Sequence, residues 1–500
     1  MSAPKWALAD DKAGGGRAFK SASINVGSGL IRFIASLSTA IILGRILTPD
    51  DFGLVAMVMP IVTFLMVFSD SGISTYTLQL KKIDEEELDR TFWLGAFSAI
   101  ILFFIFLLLT PLITSFYQEE RLKPVIVVLA FSFLLTIFTA QHNALTKRCF
   151  RQDLYAIAEI IGSLSSVIVA VGLALSGFGY WALVAIPMVR HTSHGLVIWY
   201  LTGWVPGIPK FRLENVKVIL SFGMYVLISQ SISVFGKNID KVLIGWKLGT
   251  EEVGYYNMAY SIMMLPFLQV LSPVGGAIVP YFSQIIHAGG DLKKAVENVF
   301  IGMGMIVVPA MLWASLESEH LLIFVLGDKW LPAAKIFSML ALVSIGMCFV
   351  TALGWTLIAS GKPHILAKWS VFSTISLATF CFLGLPWGGV GVALALLINT
   401  VLLFPILIFY LTKHIEVPFG VISKTIGKIF LCSAAPVSLV LGFESLLGVP
   451  YEHHVLHLLI SLLIMILAFP VFFYLIFRAQ MMLLLNYFRA RIQRRASNGV

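Results

Sequence analysis

The chain has 500 residues, of which 58% are hydrophobic and 12% charged, with a mean hydropathy of +0.92 and a formal net charge of +9. It is too apolar for a water-soluble globular domain, and its apolar runs are too long and unbroken for the short alternating strands of an outer-membrane barrel. This composition leaves an all-α integral membrane protein, whose positive charge bears on orientation before it bears on nucleic acid, and no nucleic-acid partner is expected.

Crossing the hydrocarbon takes about 20 apolar residues as a helix. About 14 stretches qualify: 22–47, 53–78, 91–117, 124–146, 153–176, 179–201, 217–248, 253–285, 297–317, 331–359, 364–385, 389–412, 424–447 and 453–478. The tail before the first stretch carries Asp10 and Asp11 and has no A-x-A cleavage site, so the first helix reads as retained. The eighth contains Pro266, Pro273 and Pro280, and a break is expected there.

Orientation follows from the loops. Twenty-five of the 35 Lys and Arg residues fall on one side if both termini lie in the cytoplasm, against six on the other and four within spans. That bias places both termini in the cytoplasm. The basic tail "RARIQRR" suits anionic membrane lipid.

The turn after the first span, "LGRILTPDDFGLV" (43–55), returns as "IGWKLGTEEVGYY" (244–256). Gly44, Leu47, Asp50, Asp51 and Gly53 are answered by Gly245, Leu248, Glu251, Glu252 and Gly254 at a constant offset of 201. With short gaps the match continues: Phe116 and Pro124 meet Phe324 and Pro332, and Gly177 and Gly179 meet Gly389 and Gly391. Six spans per copy is an even number, so the repeat is parallel, with two six-helix lobes around a central cavity. The expected organisation is an N-terminal lobe 1–201, a cytoplasmic linker 202–216, a C-terminal lobe 217–412, and two accessory helices with a basic tail over 413–500. The repeated turn reads as a helix-hairpin connection in which Thr48 and Asp50, or Thr250 and Glu251, cap the next helix.

Charges at membrane depth are costly unless they meet a partner or a wet cavity, so each is a candidate. Arg32 sits in "GSGLIRFIASLS", where small neighbours would admit a headgroup or an acid such as Glu159 of the fifth span. Asp70, in "VFSDSGIS", is either a helix-end cap or a protonatable group. Gln141, His142 and Asn143 approach the cytoplasmic face. Arg190, in "IPMVRHTSHG", lies too deep to reach either surface easily and is the leading candidate. In "FGKNIDK", Lys237 and Lys241 share a helix face with Asn238 and Asp240 between them, as a self-compensating ion pair or as a binding site.

Cys149, Cys348, Cys381 and Cys432 are scattered singly, without a CxxC. His453 and His457 have a metal-compatible spacing, with His454 beside them, but no third ligand is visible. No metal or cofactor is expected.

"GRILTPDDFGLVAMV", "NIDKVLIGWKLGTEEVGYYNMAYSIMMLPFLQVLSPV" and "LGDKWLPAA", in this order and spacing, resemble the polysaccharide-export branch of the multidrug/oligosaccharidyl-lipid/polysaccharide flippase superfamily over residues 20 to 410. The resemblance implies a two-lobed flippase, not an enzyme, of the bacterial inner membrane. It would move polyprenyl-diphosphate-linked oligosaccharide repeat units to the periplasmic leaflet for capsule, exopolysaccharide or O-antigen assembly, beside a polysaccharide polymerase and a chain-length regulator. A diphosphate wants fixed cationic donors, which makes Arg32, Arg190, Lys237, Asn238 and Lys241 the expected contacts and Asp70 and Asp240 the candidates for ion coupling. A multidrug or organic-cation exporter of the same fold would favour an acidic cavity. A polymerase or ligase would need a sizeable outer loop to carry its acid, base or nucleophile.

Overall fold

The computed structural model describes residues 15–70, 85–149, 151–207, 234–415, 417–447 and 454–478, with positions 77, 231 and 482. Every regular element among them is helical. In chain order the α-helices are α1 (Gly15–Ile46), α2 (Pro49–Asp70), α3 (Glu85–Tyr117), α4 (Leu122–Ile137), α5 (Ala140–Arg148), α6 (Gln152–Leu175), α7 (Trp181–Thr202) and α8 (Ile239–Leu248). They are followed by α9 (Thr250–His287), α10 (Leu292–Leu316), α11 (Ser318–Leu326), α12 (Leu331–Ala359), α13 (Pro363–Gly384), α14 (Gly388–Ile415), α15 (Phe419–Leu447) and α16 (His454–Ile476).

Ten stretches among the described residues are long and apolar enough to cross a bilayer, one of which, Pro363–Ile415, holds both α13 and α14. The chain is thus an all-α, multi-pass membrane protein. The expected span 331–359 is α12 to the residue, and 153–176 is α6 displaced by one. Most of the expected seventh span lies outside the described residues, with α8 at its end. The break expected in the eighth is not seen, since α9 runs as one helix across Pro266, Pro273 and Pro280.

Helix boundaries follow local chemistry. Thr48 and Asp51 form a reciprocal box at the start of α2: Thr48 N–H donates to Asp51 Oδ2 (2.9 Å) and Asp51 N–H to Thr48 Oγ1 (3.3 Å). Asp291 caps α10 by accepting from Lys294 N–H (3.0 Å). The chain leaves α7 through Gly203 at φ 63°.

The chain forms two compact units, residues 1–269 with 367–396, and residues 270–366 with 397–500. One boundary falls inside α9, between Pro266 and Pro273. In the first unit α6 packs between α1 and α7, while α4 joins α3 to α7. In the second, α10 lies between α12 and α15, and α16 packs on α15 and α11; Phe300 of α10 stacks on Phe349 of α12 at 5.3 Å.

Within the first unit the two copies of the repeated turn meet each other. A Cβ on Gly53 would land on the Thr250 carbonyl, and one on Gly254 would land on the Pro49 carbonyl, so α2 and α9 cross backbone to backbone. Thr250 does not cap its own helix; its hydroxyl reaches across to Asp50. Asp50 also receives Arg121 through both guanidinium nitrogens (2.6 and 3.2 Å), and Arg121 grips Glu119 (2.8 and 2.9 Å). Glu252 accepts from Gly389 N–H (3.0 Å), and its counterpart Asp51 lies against Gly179. Matching acids of the repeat therefore face matching Gly-rich turns.

Candidate functional site

Immediately beside that crossing, the first unit has a half-open cavity of about 220 Å³. Phe52, one residue before Gly53, and Asn257, three after Gly254, belong to its wall. Helix α1 contributes Ser36 and Thr39, α6 contributes Ser163 and Ser166, α7 contributes Arg190, and α9 adds Asn257 and Ser261. The α1 and α6 hydroxyls come from "ASLSTA" and "GSLSS", where small residues at helical spacing let the two helices pack closely. Thr39 Oγ1 donates to the Ala35 carbonyl (2.7 Å) and Ser166 Oγ to the Ser163 carbonyl (2.7 Å), so both oxygens remain as acceptors. Arg190, Asn257 and the hydroxyls of Ser36, Ser163 and Ser261 are donors the wall can offer an anion.

Arg190 is anchored from behind. Its Nη2 donates to Glu159 Oε1. The Arg190 side chain is 47% exposed and that of Glu159 only 7%. The acid is thus sequestered in the helix packing while the cation faces open space. The second Glu159 oxygen lies 2.9 Å from His194 Nδ1, off the alignment of a hydrogen bond. The other His194 nitrogen meets Asn143 Oδ1 at 2.9 Å. One turn of α7 separates Arg190 from His194, which puts both on the α6-facing side. Arg32, Glu159 and Arg190 all lie within electrostatic reach of the Tyr155 hydroxyl, so Arg32 belongs to this neighbourhood without being the principal partner of Glu159.

The other expected residues fall elsewhere. Lys237 is exposed in the turn before α8, and Asn238 Nδ2 donates to the Val234 carbonyl (2.9 Å). Asp240 is buried; its carboxylate accepts from Tyr256 OH (2.6 Å) and Lys241 N–H (2.8 Å). Lys241 Nζ stands 4.4 Å from the centroid of the Tyr260 ring. Asp70 is the last residue of α2, and its side chain lies outside the described residues, as does His453.

Gln141 and His142 do not present themselves to a solute. Gln141 is buried between Thr77 and Thr91, and His142 is buried against Trp199 and the Trp204 carbonyl. His194, Tyr155 and the hydroxyl-bearing walls are what the sequence reading passed over. The four-residue spacing of Arg190 and His194 was the available signal.

The family described as polysaccharide biosynthesis protein matches residues 42–335. The teichuronic acid biosynthesis protein TuaB of Bacillus subtilis is 26% identical, covering 79% of this chain and 82% of its own length. The lipopolysaccharide biosynthesis protein WzxC of Escherichia coli is 24% identical over 77% of this chain and 78% of its own. Among solved structures, lipid II flippase MurJ in an inward closed conformation superposes with a TM-score of 0.76 at 15% identity, covering 91% of this chain and 98% of that one.

Proposed function

Because the chain belongs to the polysaccharide biosynthesis protein family, we propose that it is a flippase moving polyprenyl-diphosphate-linked oligosaccharide repeat units from the cytoplasmic to the outer leaflet by alternating access. The products would be exopolysaccharide, capsule or O-antigen. One observation carries this reading: Arg190 turns a half-exposed guanidinium into a hydroxyl-rich cavity while a buried carboxylate holds it in place. A guanidinium suits a diphosphate bidentately, and the wall hydroxyls suit glycan hydroxyls. At about 220 Å³ the cavity is below the usual ligand-site range of about 300–1,000 Å³, so it would take the diphosphate and not the whole oligosaccharide, while the polyprenyl tail stays in lipid.

Arg32 would add a second cation from α1, with Lys237, Asn238 and Lys241 as contacts at another stage of the cycle. Export measured in cells and in reconstituted vesicles tests the assignment. Arg190→Glu should abolish export and, by setting a second carboxylate against buried Glu159, also lower abundance, so export is compared per molecule in the membrane; Arg190→Lys should keep part of it, because the point charge remains and the planar fork is lost. Normal export from a well-expressed Arg190→Glu variant overturns the reading.

Uphill flipping needs a bias between states, since equal affinity for both shifts nothing. Asp240, buried against Tyr256, and Asp70 are the proposed ion carriers. Transport indifferent to both proton and sodium gradients would remove them. Both termini are assigned to the cytoplasm of a bacterial inner membrane. A reporter active only in the cytoplasm should then work after residue 210 or 420 and fail after 178 or 450.

A further inference from the structure

We propose that Glu317, His320, His454 and His457 form a binding site for a divalent transition-metal ion of the zinc class, which clips α16 to the joint between α10 and α11. Glu317 is that joint, since it ends α10 and precedes the first residue of α11. His320 lies in the first turn of α11, and His454 and His457 share the first turn of α16. Glu317 Oε2 meets His457 Nδ1 at 3.0 Å, and His320 Nδ1 meets His454 Nδ1 at 2.8 Å. One donor atom each from Glu317, His320 and His457 can be chosen so that all lie within 4.8 Å of one another. Zinc bonds of about 2.0–2.1 Å to nitrogen and oxygen need donors about 3.3 Å apart in a tetrahedron, so small rotations would close the set.

The placement favours a structural site. Glu317 and His320 are buried, and one turn further along the same two long helices Trp313 Nε1 donates to Ser461 Oγ (3.0 Å), which fixes α16 against α10. Three imidazoles with a single carboxylate suit zinc, cobalt or nickel and are poor for calcium or magnesium, which require oxygen ligands. His454 completes the coordination or leaves that position to water. The cluster lies in the second unit, separate from the Arg190 cavity, and needs no part of the transport cycle.

The hydrogen-bonded cluster without metal is the competing arrangement, and a metal titration separates the two. Protein purified through a tag without histidine and stripped with chelator should bind one Co²⁺ per chain, with the visible absorption of a four-coordinate nitrogen/oxygen site that Zn²⁺ then abolishes. Zinc should also raise the thermal midpoint. His320→Gln, His457→Gln and Glu317→Gln should each weaken binding at least about 10-fold, whereas His287→Gln should leave it intact. Folded wild-type protein that takes up no cobalt overturns the proposal, as does a band of full strength in both His320→Gln and His457→Gln. The wild-type titration decides the matter even if a variant fails to fold.

Discussion

Glu159 and Glu317 are both buried carboxylates, each within about 3 Å of a histidine nitrogen, yet their surroundings assign them opposite work. Glu159 is matched by an arginine, whose charge is permanent and whose far side opens on a cavity. Glu317 is surrounded by imidazoles at the ends of two helices long and apolar enough to cross a bilayer, where its ion-pair partner is a histidine. A buried acid alone therefore says little about function. What counts is whether its partner is fixed in charge, and whether that partner has another face to offer.

The largest effect should come from reversing the Arg190–Glu159 pair. Arg190→Ala leaves Glu159 buried with only His194 beside it, a loss on the order of 3 kcal/mol, whereas Glu159→Gln leaves a cation that can turn to water and costs about 1 kcal/mol. Membrane abundance and thermal stability should fall in that order. The double variant Arg190→Glu/Glu159→Arg rebuilds the pair in reverse, so abundance should recover while export stays lost, because the cavity wall is now anionic. Recovery of export along with abundance would reduce Arg190 to a packing residue and dissolve the contrast with Glu317.

At Glu317 a smaller effect is expected in chelator. Glu317→Gln keeps an oxygen for His457, so the stripped variant should lose about 1 kcal/mol relative to wild type. Zinc should then widen the gap, since it binds the chain that retains the carboxylate more tightly and so stabilises it more. A gap that stays the same at all zinc levels would make Glu317 an ordinary buried hydrogen-bond acceptor.

Much of this architecture was legible in the sequence, and the reason differs by level. Span 331–359 could be read to the residue because about 20 apolar residues between a Trp-Leu-Pro start and a Ser-Gly-Lys stop leave little choice. The repeated turn was visible as a pattern, but that its two copies would cross at Gly53 and Gly254 was not, because a parallel repeat does not state which of its surfaces meet. The choice of Arg190 over Arg32 as the Glu159 partner depends on the rotation of three helices about their axes. Glu317 and His457 are 140 residues apart, and no local spacing links them. The deep arginines were found by cost, whereas their neighbours were set by packing.

The smallest effect should appear at a third carboxylate, and it tests whether the partner or the burial gives the Arg190–Glu159 pair its weight. Glu119, like Glu159, is paired with an arginine, which here grips both of its oxygens, but it lies between spans with the Glu119 and Arg121 side chains 21% and 45% exposed. If a permanent cation were sufficient, Glu119→Gln would match the loss at Arg190. Because water screens the pair and solvates either ion once it is broken, the expected loss is under about 1 kcal/mol and shrinks further in high salt. Its pH dependence has a definite sign. The Arg121 hydrogen bonds hold the Glu119 carboxyl below its usual value of 4.5, so the folded state binds that proton less readily than the unfolded chain. The contribution is complete above about pH 4.5 and drains away as pH falls through the lowered value, leaving Glu119→Gln and wild type equally stable in acid. Thermal melts of the two proteins at pH 7 and pH 3, in low and high salt, measure this directly. A loss at pH 7 as large as that of Arg190→Ala would mean that the arginine, irrespective of burial, sets the energy of such pairs.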